Sequence, residues 1–216
     1  MSIEKYKKLF KQKRNYSIGV EEEFMICDPK SGLLVDKAND IMDKVKDKNR
    51  YSYELLLSEI ETNTSICDTV ESSIKHLSTH RKELRTIGKE IGYKIGISGT
   101  HPTARAVDQN FVDSSSYNWV AEQLGYYAQR NATFAMHVHI AVKDENYAIH
   151  ITNGLRQWIA PLLALSTNSP FFEGVKTGMR SSRTMQFGAF PRTNIPVRFK
   201  NFDEYNALIK NYLASD

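Results

Sequence analysis

Three carboxylates stand inside the otherwise apolar run Ser17-Ile18-Gly19-Val20-Glu21-Glu22-Glu23-Phe24-Met25-Ile26. Side chains alternate across a pleated strand, so Glu21 and Glu23 share one face with Gly19 and Met25, while Glu22 shares the other with Ile18, Val20, Phe24 and Ile26. Two like charges roughly 7 Å apart, the strand repeat, repel each other and rise in pKa unless a cation or hydrogen-bond donors keep them ionised. A divalent cation is the favoured reading. The competing one is an edge strand whose acids face water and guard against aggregation.

Residues of metal-binding type recur downstream. His137 and His139 sit two apart in Met136-His137-Val138-His139-Ile140, so both imidazoles leave one face of a strand. On its own such a pair reads as structural. Combined with Glu21, Glu23 and Glu61 it becomes a carboxylate and imidazole set drawn from three elements. Hard oxygen donors dominate and no thiolate joins them, which favours magnesium or manganese over zinc, with the ion bridging nucleotide phosphates. Lys176, Arg180 and Arg183 lie in a Gly- and Ser-containing stretch, residues 174–183, where guanidinium groups suit phosphate oxygens; a solvated basic loop is the alternative. Neither a Walker-type loop nor a Rossmann fingerprint is present. His76 and His80 have helical i, i+4 spacing but lack the Glu of a metalloprotease helix, and are expected at the surface.

The elements that must position these residues follow from the pattern. A strand is expected over 16–27, a turn at Asp28-Pro29-Lys30-Ser31-Gly32, a short helix over 38–47 and a helical turn over Tyr53–Leu57. A second strand runs over 59–67, with Glu59, Glu61, Asn63 and Ser65 on its acidic face. Asp68 caps a long helix carrying Val70, Ile74, Leu77, Leu84, Ile87 and Ile91, and Gly92 closes it. Further strands are expected over 93–98 and 133–142, helices over 116–129 and 145–166, a loop from 171 to 196, and a last helix from Asp203. Helices and strands mix without regular alternation, which predicts an α+β fold with a largely antiparallel sheet packed with helices.

At 216 residues, with 41% hydrophobic and 11% aromatic content, the chain has material for a core of its own. Residues 1–15 form a basic lead-in, with Lys5, Lys7, Lys8, Lys11, Lys13 and Arg14, and residues 16–216 one domain. The net charge of +4 owes much to that lead-in. Only Tyr6 and Phe10 accompany it, so a solvated helix is favoured and no nucleic-acid partner is expected. The apolar run Trp158 to Leu165 is far short of the ~20 residues of a membrane span and contains Pro161, so no membrane association is expected. The N-terminus does not read as a secretory signal. Two cysteines, Cys27 and Cys67, fit a reducing, cytoplasmic setting.

Five ordered motifs then carry a resemblance. They are Gly19-Val20-Glu21-Glu22-Glu23-Phe24, the run from Glu54 through Glu61-Thr62-Asn63-Thr64 to Cys67, Gly99-Thr100-His101-Pro102, His137-Val138-His139, and Leu165 to Phe171 with Asn168-Ser169-Pro170. From about residue 16 to its end the chain resembles the glutamate-cysteine ligase type 2 family of carboxylate-amine ligases. The resemblance implies a glutamine synthetase-like catalytic fold, a sheet holding Mg2+ (with Mn2+ as substitute) between ATP and an amino acid. It implies attack by a glutamate γ-carboxylate on ATP, giving an acyl phosphate captured by cysteine or another amine. Glu21 and Glu23 match the first metal pair, Glu61 the next metal carboxylate and His137 a metal or phosphate histidine; Glu54 occupies a position that carries an acid in related ligases. The same reading gives Glu61, His137 and Arg183 catalytic roles and sets Arg180, Arg183 and His139 toward the nucleotide.

Two departures accompany it. Ala135 stands where relatives commonly have Gly, and family members are usually much longer, so the chain looks like the front part of a ligase. A catalytic sheet incomplete at the C-terminus predicts an exposed edge and allows a homo-oligomer. The rival functions are an inactive, truncated nucleotide-binding relative and a metal-dependent amidohydrolase built on His137 and His139. The amine acceptor is not legible.

Overall fold

The structure, a computed structural model, describes residues 16–190 and 193–214. The basic lead-in expected over residues 1–15 lies outside the described residues.

β1 (Ile18–Cys27) has β-branched and aromatic residues, Ile18, Val20, Phe24 and Ile26, along one face and ends in a tight reversal. There Asp28 Oδ1 accepts from the backbone N–H groups of Lys30 and Ser31 (3.0 and 2.7 Å), and Gly32 supplies the positive φ of 74°. α1 (Ala38–Lys44), β2 (Tyr51–Ser52) and β3 (Glu59–Asn63) follow. α2 (Val70–Ile91) starts at Thr69, whose hydroxyl accepts from Ser72 N, and ends on Gly92 in the left-handed conformation. Next come β4 (Lys94–Gly96), α3 (Ser115–Leu124), β5 (Met136–Ile140), α4 (Glu145–Leu155), α5 (Ile159–Ser166), the hairpin β6 (Phe171–Phe172) with β7 (Val175–Lys176), α6 (Ser182–Phe187) and α7 (Phe202–Leu213).

The α+β expectation is met: the sheet order is β2-β3-β1-β4 with β5 also on β1, and β1 is antiparallel to both β3 and β4. Several local expectations give way. The N-cap is Thr69, not Asp68, because the extended conformation a cap requires (φ −137°, ψ 158°) falls one residue later. Tyr53–Leu57 is not a helical turn. Tertiary pairing claims its backbone instead: Leu56 forms an antiparallel bridge with Phe111, Val112 N donates to Leu55 O, Leu57 N to Asn110 O and Ala38 N to Leu57 O. The expected loop over 171–196 contains β6, β7 and α6. In the hairpin, Glu173 and Gly174 both have positive φ (48° and 80°), the conformation that matches strand twist in a two-residue turn.

The described residues fall into two compact units. One spans residues 18–139 and 167–190. Its core lies between one sheet face and the helices: Phe24, Ile26 and Ile60 pack with Ile41 of α1 and Leu84 and Ile87 of α2. Tyr93 seals the helix end by donating its hydroxyl to Leu84 O (2.8 Å). The other unit comprises residues 16–17, 140–166 and 193–214. There Asn153 binds the backbone of Phe199 through both its amide oxygen and nitrogen, and Asn146 accepts from Phe202 N. Among the described residues no helix is long and apolar enough to cross a membrane.

Candidate active site

Antiparallel register builds the site. Glu23 of β1 lies opposite Glu61 of β3, Glu21 opposite Asn63, and Met25 opposite Glu59, so the carboxylates of both strands rise from one sheet face. β2 adds Ser52 opposite Glu61. β5 flanks the first half of β1 and brings the histidines: His137 Nδ1 stands 3.4 Å from Glu21 Oε2 and 3.7 Å from Glu23 Oε1, and His139 Nε2 stands 2.9 Å from Glu21 Oε2. Donor atoms of Glu21, Glu61 and His137 lie within 4.8 Å of one another, and those of Glu23, Glu54 and Glu61 do the same. Glu61 belongs to both groups.

Crowding and burial leave this face short of positive charge. Burial, with Glu61 and Glu21 adding to it, pushes the Glu23 carboxyl up to about 7 against a hydrogen bond from the Ala135 backbone and the charge of Arg183. Glu54 also rises to about 7, first through burial and then through Glu23 and Glu61. Glu59 is driven well above the ordinary carboxylate range by burial and the same neighbours, and its Oε1 is buried without a hydrogen-bond partner among the described residues. Unlike Glu21, Glu23, Glu61 and His137, Glu59 stood out in the sequence only as one acid on an alternating face. Its spacing of two from Glu61 was the available signal.

Arg183 is the cation of this face. It rides on α6, its backbone N donates to Ser169 Oγ (3.3 Å) and its Nε to Phe134 O (2.9 Å), and its guanidinium lies 5.0 Å from the Phe187 ring centre. Its charge lowers the pKa of both Glu23 and Glu59. The approach is tight. A Cβ on Gly99 would stand 3.1 Å from Arg183 Cβ and Cδ and from Asn168 Oδ1, which itself accepts from Gly99 N (2.9 Å). Arg180 and Lys176 are exposed, and the Arg180 carbonyl accepts from Ser169 N. His101 serves the fold: its Nδ1 accepts from Thr103 N and Ala104 N, so Nε2 carries the proton and donates to Gly32 O (2.8 Å).

His76 and His80 lie on the opposite side of β3. His80 is buried, not at the surface as its place in a polar helix stretch suggests, because Tyr51 packs 5.6 Å from it, ring centre to ring centre. His76 is half-buried with Nδ1 3.8 Å from the Cys67 thiol.

The donors are those a hard divalent cation takes: carboxylate oxygens with an imidazole, and no thiol in either group. The glutamate-cysteine ligase family 2 model matches residues 17–215. A glutamate-cysteine ligase of Haloquadratum walsbyi is 36% identical over 206 residues, 92% of this chain and 56% of that protein. The Haloferax volcanii glutamate-cysteine ligase is 34% identical over 197 residues, 88% of this chain and 54% of that protein. The chain thus spans about half the length of the curated relatives it matches. Among solved structures, a bifunctional glutathione synthetase from Pasteurella multocida shares the fold, with a TM-score of 0.65 at 16% identity over 99% of this chain and 32% of that one. With the acidic sheet face and the match over nearly all its length, the chain belongs to the glutamate-cysteine ligase family 2.

Proposed function

We propose that this chain carries the cation and phosphate site of an ATP-dependent ligase that joins the glutamate γ-carboxylate to cysteine or another amine. The observation that carries the reading is the sharing of Glu61 between two oxygen-rich donor groups, one with Glu21 and His137 and one with Glu23 and Glu54. Acids that reach a pKa of about 7 when left to themselves are a face built to receive positive charge. Glu21, Glu23, Glu54, Glu61 and His137 would hold Mg2+, or Mn2+ in its place. When bound, the cation neutralises phosphate oxygens, the main demand of phosphoryl transfer.

The protein's own groups divide the remaining work. Arg183, fixed by Phe134 O and Ser169 Oγ, holds phosphate charge, with Arg180 nearer solvent as a second guanidinium and His139 beside Glu21 as a donor to the nucleotide. In the reaction a γ-carboxylate oxygen of glutamate attacks the ATP γ-phosphorus and the bond to ADP breaks. The amine nitrogen then attacks the acyl carbon, phosphate leaves, and the nitrogen gives up a proton. No nucleophilic side chain is needed. Incubation with ATP, magnesium, glutamate and a panel of amines tests the reading. ADP and an amide appearing together support it, and a folded sample releasing no ADP with any amine overturns it.

A further inference from the structure

Glu61 is held by a closed triangle of hydrogen bonds. Ser52 Oγ donates to Glu61 Oε1 (2.7 Å), Asn63 Nδ2 donates to the same Oε1 (2.9 Å), and Asn63 Nδ2 also donates to Ser52 Oγ (2.9 Å). Asn63 Nδ2 faces two acceptors that lie 2.7 Å apart, so one of its N–H groups is shared between them, and Oε1 receives both the Ser52 hydroxyl and that N–H, which uses both of its lone pairs. Oε2 accepts no hydrogen bond among the described residues. The triangle is set by the sheet: β2 places Ser52 directly opposite Glu61, and Asn63 follows Glu61 on the same face of β3.

We propose that Ser52 and Asn63 are positioning residues that saturate Oε1 of Glu61 and so present Oε2 alone to the cations shared by the two donor groups. The inference rests on the cation reading above and extends it to residues that touch neither substrate nor cation. A carboxylate free to rotate would offer either oxygen and would spend part of its time turned toward Ser52; the triangle removes that freedom before the ion arrives. Ser52 acts as the hinge pin, since its hydroxyl donates to Glu61 while accepting from Asn63. Its loss therefore breaks two of the three bonds. Loss of the Asn63 amide also breaks two, leaving only the bond from Ser52 to Glu61. Partners that orient a ligating carboxylate typically govern metal affinity by about 10-fold or more.

The test titrates Mn2+ alone into the full chain and reads free Mn2+ by electron paramagnetic resonance, with thermal melting in chelator as a check of folding. Ser52→Ala and the near-isosteric Asn63→Leu are each expected to weaken Mn2+ binding about 10-fold, and Ser52→Thr, which keeps the hydroxyl, to restore it to within about threefold of the unaltered chain. Should Ser52→Ala fail to fold, Asn63→Leu and Ser52→Thr still decide the matter. Unchanged affinity in Ser52→Ala and Asn63→Leu, with Glu61→Gln losing the ion, overturns the inference and leaves the cation reading standing. A loss in Ser52→Ala that Ser52→Thr does not restore also overturns it, because packing and not the hydroxyl is then at work. Absence of Mn2+ binding in the unaltered chain overturns the cation reading and this inference together.

Discussion

Glu22 and Glu23 are neighbours in one strand, buried to a similar degree (4% and 9% exposed), yet they live under opposite electrostatic rules. Glu22 faces the core and meets Arg81 of α2, which grips it with two guanidinium nitrogens, Nε at 3.0 Å and NH2 in a second, closer contact, while stacking 5.9 Å from the centre of the Phe24 ring. Glu23 faces the other way, toward Glu61, Glu21, Glu54 and Glu59, with Arg183 opposing Glu23 and Glu59 and His137 opposing Glu54. On the core side the chain supplies its own counter-charge. On the open side it gathers acids with less counter-charge of its own, the deficit that the cation reading proposed above would fill, so burial of an acid has opposite electrostatic consequences in the two places.

The comparison breaks most sharply if the two acids respond alike to substitution. Glu23→Gln is expected to lower ADP release about 10²–10³-fold, the usual scale for losing one preorganised electrostatic group, while the melting temperature stays level or rises because a crowded acid is removed. Parallel loss of activity and stability would dissolve the distinction. Arg81→Met is expected to do the reverse on stability, costing about 3 kcal/mol in denaturant unfolding, the lower end for stranding a buried carboxylate since Arg81 is itself half-exposed. Restoring that stability with Glu22→Gln in the same chain would sharpen the case, as the stranded charge is then gone.

Proton linkage separates the faces next. Glu23 and Glu54 have folded-state pKa values raised to about 7, so between about 4.5 and 7 the folded chain keeps protons that the unfolded chain has released. Without divalent cation, stability is greatest below about pH 4.5 on this account and falls as pH climbs to about 7, by about 2 kcal/mol per group. Calorimetry across that range checks it, and Mg2+ is expected to flatten the slope. The smallest effect belongs to Gly99→Ala. Its methyl pushes on Arg183 and Asn168, so ADP release is expected to fall only about threefold, and the Glu23 carboxyl, followed by NMR titration, to move upward. An unchanged titration would remove Arg183 from the balance at Glu23.

Much of this was legible in the sequence because strands obey a period of two. Glu21, Glu23 and Glu61 converge because alternation puts each on a definite face and antiparallel pairing does the rest. What stayed hidden was set by pairing between distant segments. Tyr53–Leu57 has the apolar look of a helical turn but is pinned by residues 110–112 through the Leu56–Phe111 bridge, and that pairing is what delivers Glu54 to Glu61. The two-residue strand carrying Ser52 is too short for any periodicity to show. The charge of Arg183 is visible in the sequence, but the Ser181 hydroxyl that caps α6 by accepting from Thr184 N is indistinguishable there from ordinary loop composition.

The place of Arg183 in the chain sets an order of events during synthesis. All the acids come from residues 21–61, whereas the guanidinium that opposes them arrives at residue 183, held by Phe134 O and by the Ser169 hydroxyl. Translation proceeds from the N-terminus. A nascent chain emerging from the ribosome therefore carries its anionic patch without Arg183 until the later segment is out, and the cation proposed for this face would meet the paired acids of β1 and β3 before their own arginine exists.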